Sequence, residues 1–325
     1  MQLVLAIALV AACGASAAVT PTDATSLDAR FGYDGPDDTP VQTCGTRAGM
    51  RGKTSRTVHV VDADRTYLVY LPKDDDSHAP VPLVFVHHGY TMSGAAMFDI
   101  TGYAELADRE HVAVAFPDGQ HGPNSLGAPW NVGSAVCPAA GFPPPVAPGD
   151  DFAFLDAMRA DISLDQCIDA AHVFVTGFSM GGYFSHQAGC MRGDIRAVAP
   201  HSGGTHALDG CATPHVPIIM FHGTSDPIVP PGCSDPHASP VGSTQPAATA
   251  WAMRNGCLPT ATATAVDHGT CYAYDGCPAG AQVTLCTFDG MGHCWAGGQG
   301  SSVFACAGYA SATELEWSFF KQHAW

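Results

Sequence analysis

Positive charge is scarce in this chain: 13 Lys and Arg stand against 30 Asp and Glu, a formal net charge of −17 over 325 residues. A field of that sign repels phosphate backbones and anionic lipid, which excludes nucleic-acid binding as the main role and argues against polyanionic substrates such as pectate. Neutral or weakly charged substrates remain open. Asparagine is scarcer still. Only Asn124, Asn131 and Asn255 occur, and none begins an N-x-S/T acceptor, so shielding by N-linked sugar is excluded. No stretch approaches 18 uninterrupted apolar residues, so no segment reads as a membrane-spanning helix. Although 16 His and 13 Cys are present, neither a paired CxxC nor an HExxH occurs, and the expected metal content is none.

What is present describes a packed chain with many turns. Hydrophobic residues make up 46% and charged residues 13%, with 36 Gly and 25 Pro. That apolar fraction is too high for a disordered chain. Leu3 to Ala12 is a short apolar run followed by Ala15-Ser16-Ala17-Ala18, which reads as an export signal cleaved after residue 18. Val10-Ala11-Ala12-Cys13 resembles a bacterial lipoprotein box and offers a second reading, a lipid anchor on Cys13. Twelve further cysteines, from Cys44 to Cys306, fit an exported protein with up to six disulfides.

Residues 19–54 are polar and turn-rich and read as an N-terminal extension pinned by Cys44. From residue 55 to residue 325 the pattern is that of one domain. Thr57–Val61 and Thr66–Leu71 form a strand pair around Asp62-Ala63-Asp64. Continuous apolar runs, as expected of strands buried on both faces, follow at Pro82–Val86, Val112–Phe116, His172–Thr176, Ala197–Pro200, Pro217–Phe221 and Val283–Phe288. Helical patterns lie between them. One starts at Asp150-Asp151 with Phe152, Leu155, Met158 and Ile162 on one face; others are Met180–Met191, Pro246–Arg254 and Ala312–His323. Strands alternating with helices imply an α/β fold with a mostly parallel twisted sheet and helices on both faces. Residues 120–149 hold seven Pro and five Gly without periodicity, which reads either as a lid or binding wall or as a disulfide-stapled surface loop through Cys137.

Gly177-Phe178-Ser179-Met180-Gly181 follows the run Val173–Thr176 and opens a helix, the context in which a sharp strand-to-helix turn exposes a nucleophilic serine. The five-residue pattern alone has about 0.2 chance matches in a chain of this composition, so the strand before it and the helix after it carry the reading. Serine needs a base to take its proton and a carboxylate to orient that base. Asp226 lies just past the run Pro217–Phe221, in His222-Gly223-Thr224-Ser225-Asp226, where the acid belongs. Asp209, Asp235 and Asp289 lack that spacing. His293 follows the last strand in a glycine-rich loop, Asp289-Gly290-Met291-Gly292-His293-Cys294-Trp295, and is the candidate base. The oxyanion needs two backbone N–H donors. Met180, the residue after the nucleophile, supplies one; the other is the Tyr90 amide, with Thr91 as the alternative, in the loop His87-His88-Gly89-Tyr90-Thr91. Trp130 and Trp295 are candidates for an aromatic substrate wall, against ordinary packing.

With those residues in place, the chain resembles the secreted esterases grouped with polyhydroxybutyrate depolymerases and feruloyl esterases, from about Cys44 to Gly298. The matching features are Arg65-Thr66-Tyr67-Leu68-Val69-Tyr70-Leu71-Pro72, His88-Gly89, Trp130-Asn131, Asp150-Asp151, the serine turn, His222–Asp226 and Gly292-His293-Cys294-Trp295. The resemblance implies an α/β-hydrolase fold, a Ser179–Asp226–His293 triad, ester hydrolysis without a metal or other cofactor, and a Cys257–Cys277 disulfide. The family often has proline after the tryptophan of the histidine loop, where this chain has Ala296. Tannase-like esterases place a cysteine directly before the serine and another directly after the histidine. Here Phe178 precedes Ser179, so the partner of Cys294 stays open, with Cys286 and Cys190 as candidates. The expected partner is an ester substrate, a polyester or a hydroxycinnamoyl-sugar ester, with no nucleic acid and no membrane span. A monomer is an open reading of its assembly. Two rival functions are an α/β-hydrolase-type serine peptidase and a non-catalytic, disulfide-rich binding protein.

Overall fold

The computed structural model describes residues 44–323 apart from 46, 48, 75–78, 123–125, 133–147, 206–207 and 231–244. The export segment, Cys13, Cys137, Cys233 and most of the expected extension lie outside the described residues. In chain order the main strands are β1 Gly52–Val60, β2 Ala63–Leu71, β3 Val81–His87, β4 Ala113–Pro117, β5 Ile168–Phe178, β6 Ala197–His201, β7 Ile218–Gly223, β8 Ala261–Val266, β9 Gly269–Tyr274 and β10 Val283–Phe288. The first begins three residues before the expected boundary at residue 55. The helices are α1 Gly94–Thr101, α2 Tyr103–Glu110, α3 Asp151–Asp165, α4 Met180–Met191, α5 Gln245–Asn255 and α6 Ala312–Lys321.

All ten strands form one sheet in the order β1-β2-β4-β3-β5-β6-β7-β10-β9-β8. The six central strands, β4 through β10 in that order, are mutually parallel. An antiparallel pair closes each edge, β1–β2 on one side and β9–β8 on the other. Every residue of β3, β4, β6 and β7 is buried, which is why these segments are apolar without alternation. Two hydrophobic cores result, one per face. Helices α3, α4 and α5 cover one with Phe154, Met158, Phe184 and Trp251. Helices α1, α2 and α6 cover the other with Met97, Leu106, Trp317 and Phe320.

Local chemistry explains the helix limits. Asp150 caps α3, its carboxylate accepting from the amides of Phe152 and Ala153 at 3.0 Å each. Its core face is Phe154, Leu155, Met158 and Ile162; Phe152 is only half-buried, with its ring 5.6 Å from that of Phe184. Helices α1 and α2 are broken by Gly102 at φ 72°, a left-handed conformation that glycine adopts without strain.

Five disulfides lie within the described residues: Cys44–Cys167, Cys190–Cys211, Cys257–Cys277, Cys271–Cys286 and Cys294–Cys306. The Cys257–Cys277 bridge agrees with the family resemblance, and Cys44 does pin its segment, to the start of β5. The partner of Cys294 is Cys306, neither of the two expected. Cys286 stands directly opposite Cys271 in the β10–β9 register, and Cys190, at the end of α4, is bonded to Cys211.

Candidate active site

The C-terminal ends of the parallel strands gather the expected residues on one edge of the sheet, where α/β proteins place their ligands. Gly89 and Tyr90 follow β3, Ser179 follows β5, Asp226 follows β7 and His293 follows β10.

Ser179 sits between β5 and α4 at φ 54° and ψ −115°, outside the regions a non-glycine residue ordinarily occupies. Its neighbours make that turn feasible. A Cβ at Gly177 would lie 2.6 Å from the backbone of Gly181, and one at Gly181 would lie 2.2 Å from the His87 carbonyl oxygen. Only glycine lets the turn press against β3 so closely. A Cβ at Gly89 would stand 3.2 Å from the Cβ of Ser179, so the loop after β3 also meets the serine. The Ser179 amide donates to the His201 carbonyl at 2.9 Å, tying the turn to the end of β6.

Asp226 and His293 come from different loops and meet directly. The Nδ1 of His293 is 2.7 Å from Oδ2 of Asp226. The other carboxylate oxygen accepts from the amides of Ile228 and Val229 at 2.8 and 2.9 Å. Burial raises the Asp226 pKa, but the His293 hydrogen bond and the Val229 amide outweigh it, so the carboxyl is held below its usual range. A carboxylate at Nδ1 requires the proton on that nitrogen, leaving Nε2 as the basic atom. The two loops are laced together: Ser225 N donates to Met291 O at 3.0 Å, and Gly290 N to Thr224 Oγ1 at 2.8 Å. The imidazole of His293 lies 4.7 Å, centroid to centroid, from the ring of Phe178, the residue before the serine.

Met180 is the first residue of α4, so its amide has no acceptor within the helix and points from the positive end of the helix dipole. Tyr90 is held from behind. Its carbonyl accepts from Ala128 N at 2.9 Å, and a Cβ at Gly127 would lie 2.1 Å from that same oxygen. The described start of the 120–149 segment thus braces the loop after β3.

Trp130 and Trp295 do not form a substrate wall. Trp130 is 1% exposed; its indole N–H donates to the His88 carbonyl at 2.8 Å, and its ring packs against His87 and Phe184. Trp295 is fully buried, stacked on His201 at 4.8 Å, with its N–H donating to Thr313 Oγ1. Both indoles face the interior because their polar edges find partners there. His87 and His88 are buried as well, and burial pushes their pKa values down to about 3 and about 4.

Two further histidines stand at the site, and the sequence assigns neither a role. His222 is buried, and its Nε2 lies 2.8 Å from the Val229 carbonyl and 3.5 Å from Oδ2 of Asp226. A carbonyl can only accept, so Nε2 carries a proton and donates it to Val229, and burial lowers the His222 pKa. His201 ends β6. The signal for His201 is only a histidine closing an apolar strand, and that for His222 only its place in the aspartate loop; neither separates a packed histidine from a working one.

No family model matches the chain. Among curated proteins it is 30% identical over 244 residues to feruloyl esterase B of Piromyces equi, covering 70% of this chain and 42% of that protein. It is 29% identical over 256 residues to probable feruloyl esterase C of Aspergillus niger, covering 73% of this chain and 86% of that one. The chain therefore spans less than half of the first relative and most of the second. Among solved structures, acetyl xylan esterase from Aspergillus awamori superposes with a TM-score of 0.57 at 15% identity, over 82% of this chain and 99% of that one. The S-formylglutathione hydrolase of Agrobacterium tumefaciens gives 0.53 at 14% identity, over 87% and 100%. At those identities the structures establish the shared α/β-hydrolase fold.

Proposed function

We propose, from its similarity to curated feruloyl esterases and its α/β-hydrolase fold, that the chain is a serine carboxylic ester hydrolase working through an acyl-enzyme, with Ser179, Asp226 and His293 as its triad. The observation that carries this reading is the 2.7 Å contact between His293 Nδ1 and Asp226 Oδ2, made by a ring that lies 4.7 Å from Phe178, the residue before the serine. In the forward step Nε2 of His293 takes the Ser179 proton as Oγ attacks the ester carbonyl. Asp226 holds the ring and stabilises the imidazolium. The amides of Met180 and Tyr90 receive the oxyanion. The tetrahedral intermediate collapses as His293 gives its proton to the leaving alcohol, and the same histidine then activates water to release the acid.

The names of the curated relatives favour feruloyl-type esters as substrates over polyhydroxybutyrate-type polyesters. The net charge of −17 favours neutral esters over polyanionic ones. Five disulfides favour an extracellular location. Among the described residues, no helix is long and apolar enough to cross a membrane.

Wild type and Ser179→Ala assayed side by side on methyl ferulate and on a polyhydroxybutyrate emulsion test the proposal. Turnover of methyl ferulate by wild type, reduced at least 10³-fold in the variant, is the expected result. Equal turnover by both proteins would sink the mechanism, and turnover of the polyester alone would reassign the acyl group.

A further inference from the structure

Resting on the serine-hydrolase reading, we infer that His201 is a positioning residue, one that sets the distance between nucleophile and base by holding both of their loops at once. The serine turn is bonded to its backbone: Ser179 N donates to His201 O at 2.9 Å. The histidine loop is bonded to its side chain: Ala296 N, three residues beyond His293, donates to His201 Nε2 at 3.0 Å. The ring is gripped on its faces by Trp295 at 4.8 Å and Phe221 at 5.7 Å, nearly parallel to both. Phe178 packs edge-on at 5.8 Å and in turn packs against His293. One side chain therefore touches the residue before the serine and two residues just after the base.

The proton inventory allows this in one form only. An amide N–H has a proton to give and nothing to accept with, so Nε2 must carry the lone pair. The remaining proton is then on Nδ1 and is donated to Ser202 Oγ at 3.0 Å. A second proton would break the bond to Ala296. Burial, with the nearby His222 and His293, holds the His201 pKa well below its ordinary value, so the ring stays in this tautomer. Ser202 itself is pinned at φ 50°, its amide donating to Phe221 O at 2.8 Å.

Two near-isosteric variants separate positioning from bulk stability. The Gln side chain places its carbonyl oxygen about where Nε2 lies and can still accept from Ala296; the shorter Asn reaches only the Nδ1 position. The measurement is the rate at which a fluorophosphonate probe labels Ser179, followed against pH, together with kcat and KM on methyl ferulate and the melting temperature of each protein. His201→Gln is expected within about fivefold of wild type. His201→Asn is expected to label about 10²-fold more slowly, with the loss in kcat rather than KM, the size that misplacing reacting groups by an ångström produces. Equal rates in the two variants, or losses that simply follow melting temperature, would overturn the inference. A wild type that never labels would instead remove the serine-hydrolase reading on which it rests.

Discussion

Asp226 shows at the residue scale how the site combines charge with order. One oxygen is fixed by two backbone amides, and the other lies 2.7 Å from His293 Nδ1 and 3.5 Å from His222 Nε2. Asp226→Asn would keep the shape but put an amide where a carboxylate must accept. The ring would then favour the tautomer with Nδ1 bare, and kcat is expected to fall about 10³- to 10⁴-fold. The sign of its pH linkage follows from its lowered pKa. The stabilisation is present above the ordinary carboxylate range and is lost as pH falls through the depressed value. A urea titration series from pH 6 downward checks this: the stability difference between wild type and Asp226→Asn should shrink on the acid side. Among the candidate site residues, Ser179, Asp226 and His293 are legible in the sequence because each sits at a strand end in a recognisable order. The two tryptophans stay open between wall and packing in the sequence, since composition does not reveal whether an indole N–H has found a buried partner such as the His88 carbonyl.

At the scale of elements, the loop that carries His293 is held by more than its strand. Trp295–Ala296 pairs in parallel with Ala305–Cys306, and Cys294–Cys306 closes the same short excursion covalently. In a loop spanning 12 residues of separation a disulfide is worth about 3 kcal/mol by chain entropy. The paired change Cys294→Ser with Cys306→Ser should lower thermal stability and reduce kcat on methyl ferulate more than it raises KM, because the base would be less well placed. Calorimetry and steady-state kinetics on the pair check both parts. The limits of α3 and α4 were readable from the Asp150 cap and the serine turn. Helices α1 and α2 were not, because eight residues on either side of Gly102 are too short to express a helical period. The β8–β9 hairpin also escaped: β8 is almost wholly exposed and β9 at most half-buried, so no buried face imposes alternation on its alanines and threonines.

For the whole molecule, the parallel sheet keeps the chemistry at its C-terminal edge while a separate polar group lies in the opposite core. Glu316 of α6 is fully buried between Tyr103 and Thr176. Tyr103 donates to Oε2 at 2.6 Å, and Thr176 is also bonded to the Ala199 carbonyl at 2.7 Å. Thr176 Oγ1 also donates to Oε1 of Glu316 at 3.1 Å, so its one hydroxyl proton is shared between that oxygen and the carbonyl. Burial pushes the Glu316 pKa up to about 8. A raised pKa means its contribution is intact below the unfolded carboxylate value and is lost as pH climbs through about 8. Glu316→Gln can make both bonds without a proton to lose. It should match wild type near pH 4 and be more stable near pH 8, by a few kcal/mol at most, with probe labelling of Ser179 unchanged; melting curves across pH read the difference. The central claim concerns the other end of the sheet, and peptide mapping after fluorophosphonate treatment tests it most directly. The account predicts a single adduct on the peptide bearing Ser179, absent in Ser179→Ala and formed at least 10³-fold more slowly in His293→Ala. An adduct on another residue, or labelling of His293→Ala at the wild-type rate, would contradict it.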